Sequence, residues 1–247
     1  MNKTVELCTG SNKIVNKYLS NRYKMTAKPR GRPRAYDPEQ ALERALQAFW
    51  KGGYSGTSLD DLAQATGMNR PSLYAGLGDK RTIYIKAMRR FQDYARQHFG
   101  AALMTQPDDK SFTDVIARYL HAAIKVDGLH ESTGVSGCAV ISTAAAESLT
   151  NPEIRQVLDD VLEDMDGQLL RRLKQAQASG ELAQEIDIKA LGFLLASTAH
   201  SIGIRARAGQ ARQDMEQMVD SLARALCPAK STSPAPRGKI RPAAQKG

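Results

Sequence analysis

The stretch TSLDDLAQATGMNRPSLYAGL, residues 57–77, decides the fold. Its apolar residues Leu59, Leu62, Ala63, Met68 and Leu73 recur at helical spacing on either side of a break at Thr66-Gly67-Met68. Two short helices joined by a sharp turn are predicted. Gly67 falls at the turn because a left-handed backbone is least strained where there is no Cβ. Thr57-Ser58 opens the first helix, and Asn69 opens the second with Pro71 in its first turn. Length and turn match a helix-turn-helix, whose apolar residues pack the two helices on each other and on a preceding helix.

The residues left facing outward carry the chemistry a DNA duplex requires. Thr57 and Ser58 offer hydroxyls at a helix N-terminus, a natural place for a phosphate. Asn69, Arg70, Ser72 and Ala75 point away from the packing face of the second helix. A guanidinium at Arg70 can read guanine bidentately, and the small Ala75 admits close approach or a thymine methyl. Tyr74 places a hydroxyl at phosphate height, and Lys80 adds a cation at the start of the next helix.

Working outward, Asp37-Pro38-Glu39-Gln40 reads as a helix start: Asp at the N-cap, Pro at the first position, Gln closing a capping box. Leu42, Ala45, Leu46 and Phe49 form the stripe of this helix, and Gly52-Gly53 stops it. A long helix is predicted from Lys80 to His98. Five more follow: Ser111 to Val126, Cys138 to Leu149, Asn151 to Gly180, Asp187 to Gly209, and Arg212 to just before Pro228. No segment shows strand alternation flanked by turn residues, so the predicted fold is all-α.

These residues resemble one family closely. Thr57-Ser58-Leu59-Asp60-Asp61-Leu62-Ala63, Thr66-Gly67-Met68, Arg70-Pro71-Ser72-Leu73-Tyr74 and Gly78-Asp79-Lys80 are similar to the DNA-binding module of the tetracycline-repressor (TetR) family, over residues 36–91. The resemblance implies a homodimer whose two recognition helices enter successive major grooves of a palindromic operator in double-stranded DNA. It also implies a repressor released by a small-molecule effector and working in the cytoplasm. The tyrosine, the hydroxyls and the lysine would be its phosphate contacts. The family often carries an aromatic residue or histidine where Ala75 and Gly76 stand, and phenylalanine where Leu77 stands. That departure moves the expected base readout to Arg70 and Pro71.

Charge divides along the chain in the same sense. The net +9 resolves into +8 over residues 1–34, +2 over 35–91, −6 over 92–227 and +5 over 228–247. A basic end on an acidic body suggests separate surfaces for phosphates and for another partner. The predicted division is a disordered basic arm (1–34), a three-helix helix-turn-helix domain (35–91), a helical ligand-binding and dimerisation domain (92–227) and a disordered basic tail (228–247). Arg32 and Arg34, in Arg30-Gly31-Arg32-Pro33-Arg34, are placed to enter a minor groove, or else belong to a solubilising tail. Met25, just upstream, offers an alternative start.

The three cysteines, Cys8, Cys138 and Cys227, have neither disulfide nor zinc spacing, which fits a reducing compartment. No signal peptide is legible, and the apolar run Ile188–Ile204 is too short and polar for a bilayer span, so no membrane partner is expected. That run and the stripe Met215, Met218, Val219, Leu222, Ala223, Leu226 suggest two dimerising helices, with Leu191, Leu195, Ile202, Met215, Met218 and Leu222 as the mating residues. Candidate pocket residues are Phe91, Tyr94, Phe99, Tyr119, His121, Cys138, Met165, Phe193 and His200, each equally readable as plain core or surface.

Cys138 follows Gly137 at a helix N-terminus, where the dipole lowers a thiol pKa; a sensor thiol and a small buried cysteine both stand open. His98, His121, His130, His200 and Cys138 lack close ligand spacing, so no metal is expected, and no cofactor. The cluster Asp159, Asp160, Glu163, Asp164, Asp166 reads as a solvated face. No catalytic constellation is present, which disfavours an enzyme. A ligand-responsive DNA regulator and an architectural, low-specificity DNA binder remain as functional readings.

Overall fold

A computed structural model describes residues 36–127 and 134–226. Within them lie α1 (Pro38–Gly56), α2 (Leu59–Thr66), α3 (Arg70–Gly76), α4 (Lys80–Leu103), α5 (Phe112–Asp127), α6 (Ala139–Ala144), a 3₁₀ turn (Glu147–Leu149), α7 (Pro152–Ala178), α8 (Ile188–Arg207) and α9 (Arg212–Leu226). The fold is all-α, as the sequence implies. The arm residues Arg32 and Arg34, Met25, His130 and the C-terminal tail lie outside the described residues.

Local chemistry sets most of the helix ends. The Asp37 carboxylate accepts from the Glu39 N–H at 2.9 Å, one position earlier than the predicted capping box. Ser58 and Asp61 form a reciprocal capping box on α2, Asn69 caps α3 through the Ser72 N–H, and Asp79 caps α4 through the Thr82 N–H. Gly53, at φ 73°, breaks α1 near the predicted stop, and one more turn carries the chain to Gly56. Gly67, at φ 70° and ψ 19°, ends α2 in the left-handed conformation the motif requires.

Two helices depart from expectation. Helix α4 runs on to Leu103 because Phe99, Ala102 and Leu103 continue its buried stripe. The predicted helix over Cys138–Leu149 is instead a short α6 and a 3₁₀ turn. Beyond Ala144 the apolar stripe ends: Ala145 and Ala146 are exposed and Leu149 is largely in solvent, so no burial sustains further turns.

Helix α1 packs on α4 and on α2, and α2 packs on α3, while α5 to α9 build the body, with α5 against α4, α8 and α9 and with α7 against α4 and α8. The 91/92 division falls inside the unbroken α4. Phe49, Trp50, Tyr54, Tyr84 and Phe91 form an aromatic cluster where α1 meets α4, with Phe49–Tyr84 centroids 5.1 Å apart and Trp50–Phe91 centroids 5.2 Å apart.

The proposed mating face needs correction. Leu191, Leu195 and Ile202 on α8 and Met215 on α9 are buried in their own protomer, and Met218 and Leu222 are half-buried. Helical geometry explains it: one face of α8 packs into the body, and its small residues let neighbours approach. The apolar residues on its open side are Phe193, Leu194 and Ile204. Among the described residues no helix is long and apolar enough to cross a membrane.

Gly67 gives a direct test of the motif's backbone. Gly67→Ala is expected to cost about 1–2 kcal/mol of unfolding free energy, the strain of a Cβ in the left-handed region. Gly67→Asn should cost less, as measured by urea denaturation.

Candidate nucleic-acid interface and regulatory cavity

Helix α3 presents its outer face to solvent. Leu73 is wholly buried and Leu77 nearly so, anchoring the helix, while Asn69, Arg70, Pro71, Tyr74 and Ala75 are exposed and Ser72 is half-buried. This is the arrangement a major-groove reader needs: apolar side inward, polar and small side outward. Glycine at position 76 has a physical reason. A Cβ there would overlap the Tyr36 hydroxyl, so the ring of Tyr36 takes the space a larger side chain would need.

Arg70 is not free. Its Nε and Nη2 donate to the two carboxylate oxygens of Asp60 on α2 at 2.7 and 2.5 Å. The guanidinium holds the Asp60 carboxyl below the usual carboxylate range. Both groups are largely solvent-exposed, so this pair orients Arg70 at little cost to its release. Sequence reasoning overlooked Asp60, ten residues upstream in the neighbouring helix, because only the folded turn brings the two together.

The hydroxyls before α2 need a second correction. Thr57 is buried and its Oγ1 donates inward, to the Gly53 carbonyl at 2.7 Å and the Ala48 carbonyl at 3.3 Å. It closes the broken end of α1 and presents no hydroxyl to a phosphate. Ser58 is exposed, but its N–H and hydroxyl both donate to Asp61 at 2.7 Å. Lys80 sits over the Tyr54 ring at 4.6 Å, at the N-terminus of α4.

A cavity lies between α4, α5, α7 and α8. Phe91, Phe99, Cys138, Met165 and His200 of the expected pocket residues line it. Four others do not. Phe193 stands in solvent on the outer side of α8. His121 hydrogen-bonds Asp220 of α9 at 2.7 Å. Tyr94 stacks on His98, and Tyr119 is buried against Phe99 away from the cavity lining. The common cause is rotation: these side chains project from other sides of their helices.

The cavity also contains Asp127, Gln92, Arg96 and Asp164, which sequence reasoning overlooked. A signal existed for Asp127: it continues the buried stripe Leu120, Ala123, Ile124 at i+3/i+4 spacing, where a carboxylate is out of place. Burial pushes its carboxyl up to about 8. Burial pushes the Cys138 thiol up too, to about 12, with the Asp127 charge adding to it. This overturns the expectation of a thiol pKa lowered by the helix dipole: desolvation outweighs the two backbone N–H groups of α6.

Three contacts tie the body to the helix-turn-helix. Arg207, at the end of α8, donates to the Trp50 carbonyl of α1 at 2.7 Å. The Tyr84 and Thr143 hydroxyls share a buried hydrogen bond of 2.6 Å, and the Ser55 hydroxyl donates to Glu147. The cavity adjoins the first of these. Gly137 N–H donates to the Asp127 carbonyl at 2.8 Å, and a Cβ on Gly137 would strike the Gly203 carbonyl and Arg207 Cβ.

The Asp60–Arg70 pair makes a checkable claim about the exposed face. Asp60→Asn should raise affinity for random-sequence duplex several-fold, since a negative charge beside the phosphates is lost. It should also narrow the ratio between a specific site and random DNA, because Arg70 is no longer oriented. Fluorescence anisotropy with both duplexes reads the two effects, and unchanged values for both would refute the role given to the pair.

Comparison with known proteins agrees with this geometry. Residues 41–86 match the model described as bacterial regulatory proteins, tetR family, and residues 118–222 match the tetracyclin repressor-like C-terminal domain. The chain is 30% identical over 197 residues to the HTH-type transcriptional repressor ComR of Escherichia coli K12, covering 80% of this chain and 92% of ComR. It is 26% identical over 191 residues to the uncharacterized HTH-type transcriptional regulator YezE of Bacillus subtilis 168, covering 77% and 94%. Among solved structures, a cysteine-substituted variant of the regulator CifR, complexed with 26-bp double-strand operator DNA, superposes with TM-score 0.66 at 26% identity, covering 79% of this chain and 99% of that one. With its helix-turn-helix, its helical body and these matches over both, the chain belongs to the TetR family of DNA-binding transcriptional regulators.

Proposed function

We propose that this protein is a homodimeric repressor that binds a palindromic operator through α2 and α3 and is released when a small molecule occupies the cavity of the body. The observation that carries the reading is the solvent-facing side of α3, where Arg70, Pro71, Tyr74 and Ala75 stand out from a helix anchored by Leu73 and Leu77. The relative ComR is a repressor by name, and the CifR variant was solved on operator DNA. Both support repression through operator binding, and a chromosomal partner puts the site of action in the cytoplasm.

The roles of the side chains follow from their placement. Arg70 and Pro71 face base edges, with Ala75 leaving room for close approach. Tyr74, Ser72, Asn69 and Lys80 face the sugar–phosphate backbone and fix the register, while Ser58, held by Asp61, caps α2 beside them. Thr57 acts indirectly, by closing α1 behind the motif. Release needs a ligand that favours one arrangement of the body over another. The path offered by the geometry is short: the cavity adjoins Gly137 and Gly203, these pack on Arg207, and Arg207 holds the Trp50 carbonyl of α1. A shift of α8 therefore moves the helix-turn-helix, and in a dimer it changes the spacing of the two recognition helices.

The dimer itself is supported by Phe193, Leu194 and Ile204, three large apolar side chains exposed on one helix. Their pairing across a two-fold axis would cover them. Phe193→Glu with Ile204→Glu is expected to shift the protein from dimer to monomer in sedimentation equilibrium at micromolar concentration, with the helical circular-dichroism spectrum retained. A double variant that stays dimeric would remove this face from the interface.

The operator claim is tested on the intergenic DNA upstream of the protein's own gene, against random duplex across a salt series. A footprint over a palindrome, with much weaker random binding, is the expected result. Arg70→Ala should then cost about 1–3 kcal/mol and relax preference at one base position in each half-site, whereas Tyr74→Phe should weaken all sequences alike. Equal affinity for both duplexes, collapsing together with salt, would instead support an architectural DNA binder held by phosphate contacts alone.

A further inference from the structure

The carboxyl of Asp127 is the least expected group in the body. It sits at the end of α5, 4% exposed, and among the described residues it has no charged partner. Its position is built rather than accidental. A Cβ on Gly203 would overlap Asp127 Oδ2, so the carboxyl occupies a recess that exists because residue 203 has no side chain. The Gly137 N–H holds its backbone carbonyl at 2.8 Å, fixing the last turn of α5. The carboxyl faces the cavity, whose walls near it are Phe91, Phe99, Val161, Met165 and Ala199.

A second buried polar group faces the same space. His200 Nε2, on α8, is shielded from solvent and has no hydrogen-bond partner, and burial depresses the basicity of the ring. Among the described residues the one Lys or Arg in the cavity wall is Arg96, and it is committed to Asp164 at 2.7 Å and Asp93 at 3.4 Å. Among the described residues the cavity thus offers an apolar surface and a buried carboxyl with no free positive charge beside it. An unpaired carboxylate in apolar surroundings is costly, and it is relieved by a donor, most of all a cationic one.

We infer that the cavity takes a small lipophilic amine, whose protonated nitrogen donates to Asp127 while its hydrocarbon body lies against Phe91, Phe99 and Met165. This rests on the regulatory reading of the cavity given above and names its ligand class. The two aromatic rings add cation–π attraction, and His200 accepts from a second N–H of the same ammonium. A carboxylate-bearing ligand meets the wrong charge, and a neutral alcohol leaves the carboxyl without a counter-charge. The clear interior is only about 20 Å³, room for about one water. An amine must therefore displace side chains, of which Met165 is the most adaptable, and that displacement pushes on α8 beside Gly203. A single enclosed water satisfying Asp127 is the competing account.

The test uses the full chain and matched probes: benzylamine, phenethylamine and 4-phenylbutylamine, each against the alcohol and carboxylate of the same skeleton, by isothermal titration calorimetry without DNA. Saturable binding of at least one amine, at least tenfold tighter than its alcohol and carboxylate, is expected. Asp127→Asn, an isosteric change, should weaken that amine tenfold or more, and Ala199→Leu should block it by filling the cavity, with folding of both checked by circular dichroism. Binding of alcohol or carboxylate as tight as amine, amine binding indifferent to both variants, or no binding by any probe would overturn the inference, the last leaving the enclosed water. Operator release is read separately. An amine that binds through Asp127 without loosening DNA would uphold the ligand class and refute regulated release; release by some other ligand, indifferent to Asp127→Asn, would do the reverse.

Discussion

Helix α4 is a single rigid rod with two cores on one stripe. Its first half, through Ile83, Tyr84, Ala87, Met88 and Phe91, completes the core under the helix-turn-helix, and its second half, through Ala95, Phe99 and Leu103, completes the core of the body. An uninterrupted helix without proline curves only gently and does not hinge sharply, so movement imposed on one half is felt by the other. The aromatic cluster of Phe49, Trp50, Tyr54, Tyr84 and Phe91 welds α1 to this rod, and Arg207, at the end of α8, also reaches α1 at the Trp50 carbonyl. The reading head is therefore held at two points by the part of the protein that contains the cavity.

Polar groups inside an apolar body must find partners or pay in stability, and most here find them. Arg172 is buried but donates to the Leu103 carbonyl, Thr105 and Glu181, tying α7 to the end of α4. Arg118 binds Asp109 and two carbonyls at the α4–α5 connection. Thr143 and Tyr84 satisfy each other. Against that background the Tyr94 and Tyr119 hydroxyls and His200 Nε2 lack a hydrogen bond, and His200 shares the cavity wall with the buried carboxyl of Asp127, which has no ion pair among the described residues. Buried groups left in this state are commonly found where a binding site is.

Much of this was legible in the chain. Capping residues and turn glycines mark helix ends because they act on the nearest backbone groups, and Asp37, Asn69 and Gly67 are where local chemistry puts them. The outer face of α3 was legible for the same reason, since a seven-residue helix anchored by Leu73 can turn only one side outward. The pocket and the mating face were not. Periodicity says that a residue lies on a stripe, but not which of two partners covers it. Leu195 and Ile202 read like dimer residues and belong to the protomer's interior, while Phe193 read like pocket and faces outward.

The sequence by itself thus determined the helical class, the order of the helices, the position of the helix-turn-helix and the family to which they belong. These depend on spacing, capping and backbone conformation, which are short-range. Only the tertiary structure decided that Arg70 rests on Asp60, that Thr57 turns inward, that Cys138 is a desolvated thiol beside a buried carboxyl, and that Arg207 touches Trp50 from 157 residues away. Each of these depends on which helix faces are brought together and how far water is excluded between them, and no local pattern in a chain encodes that.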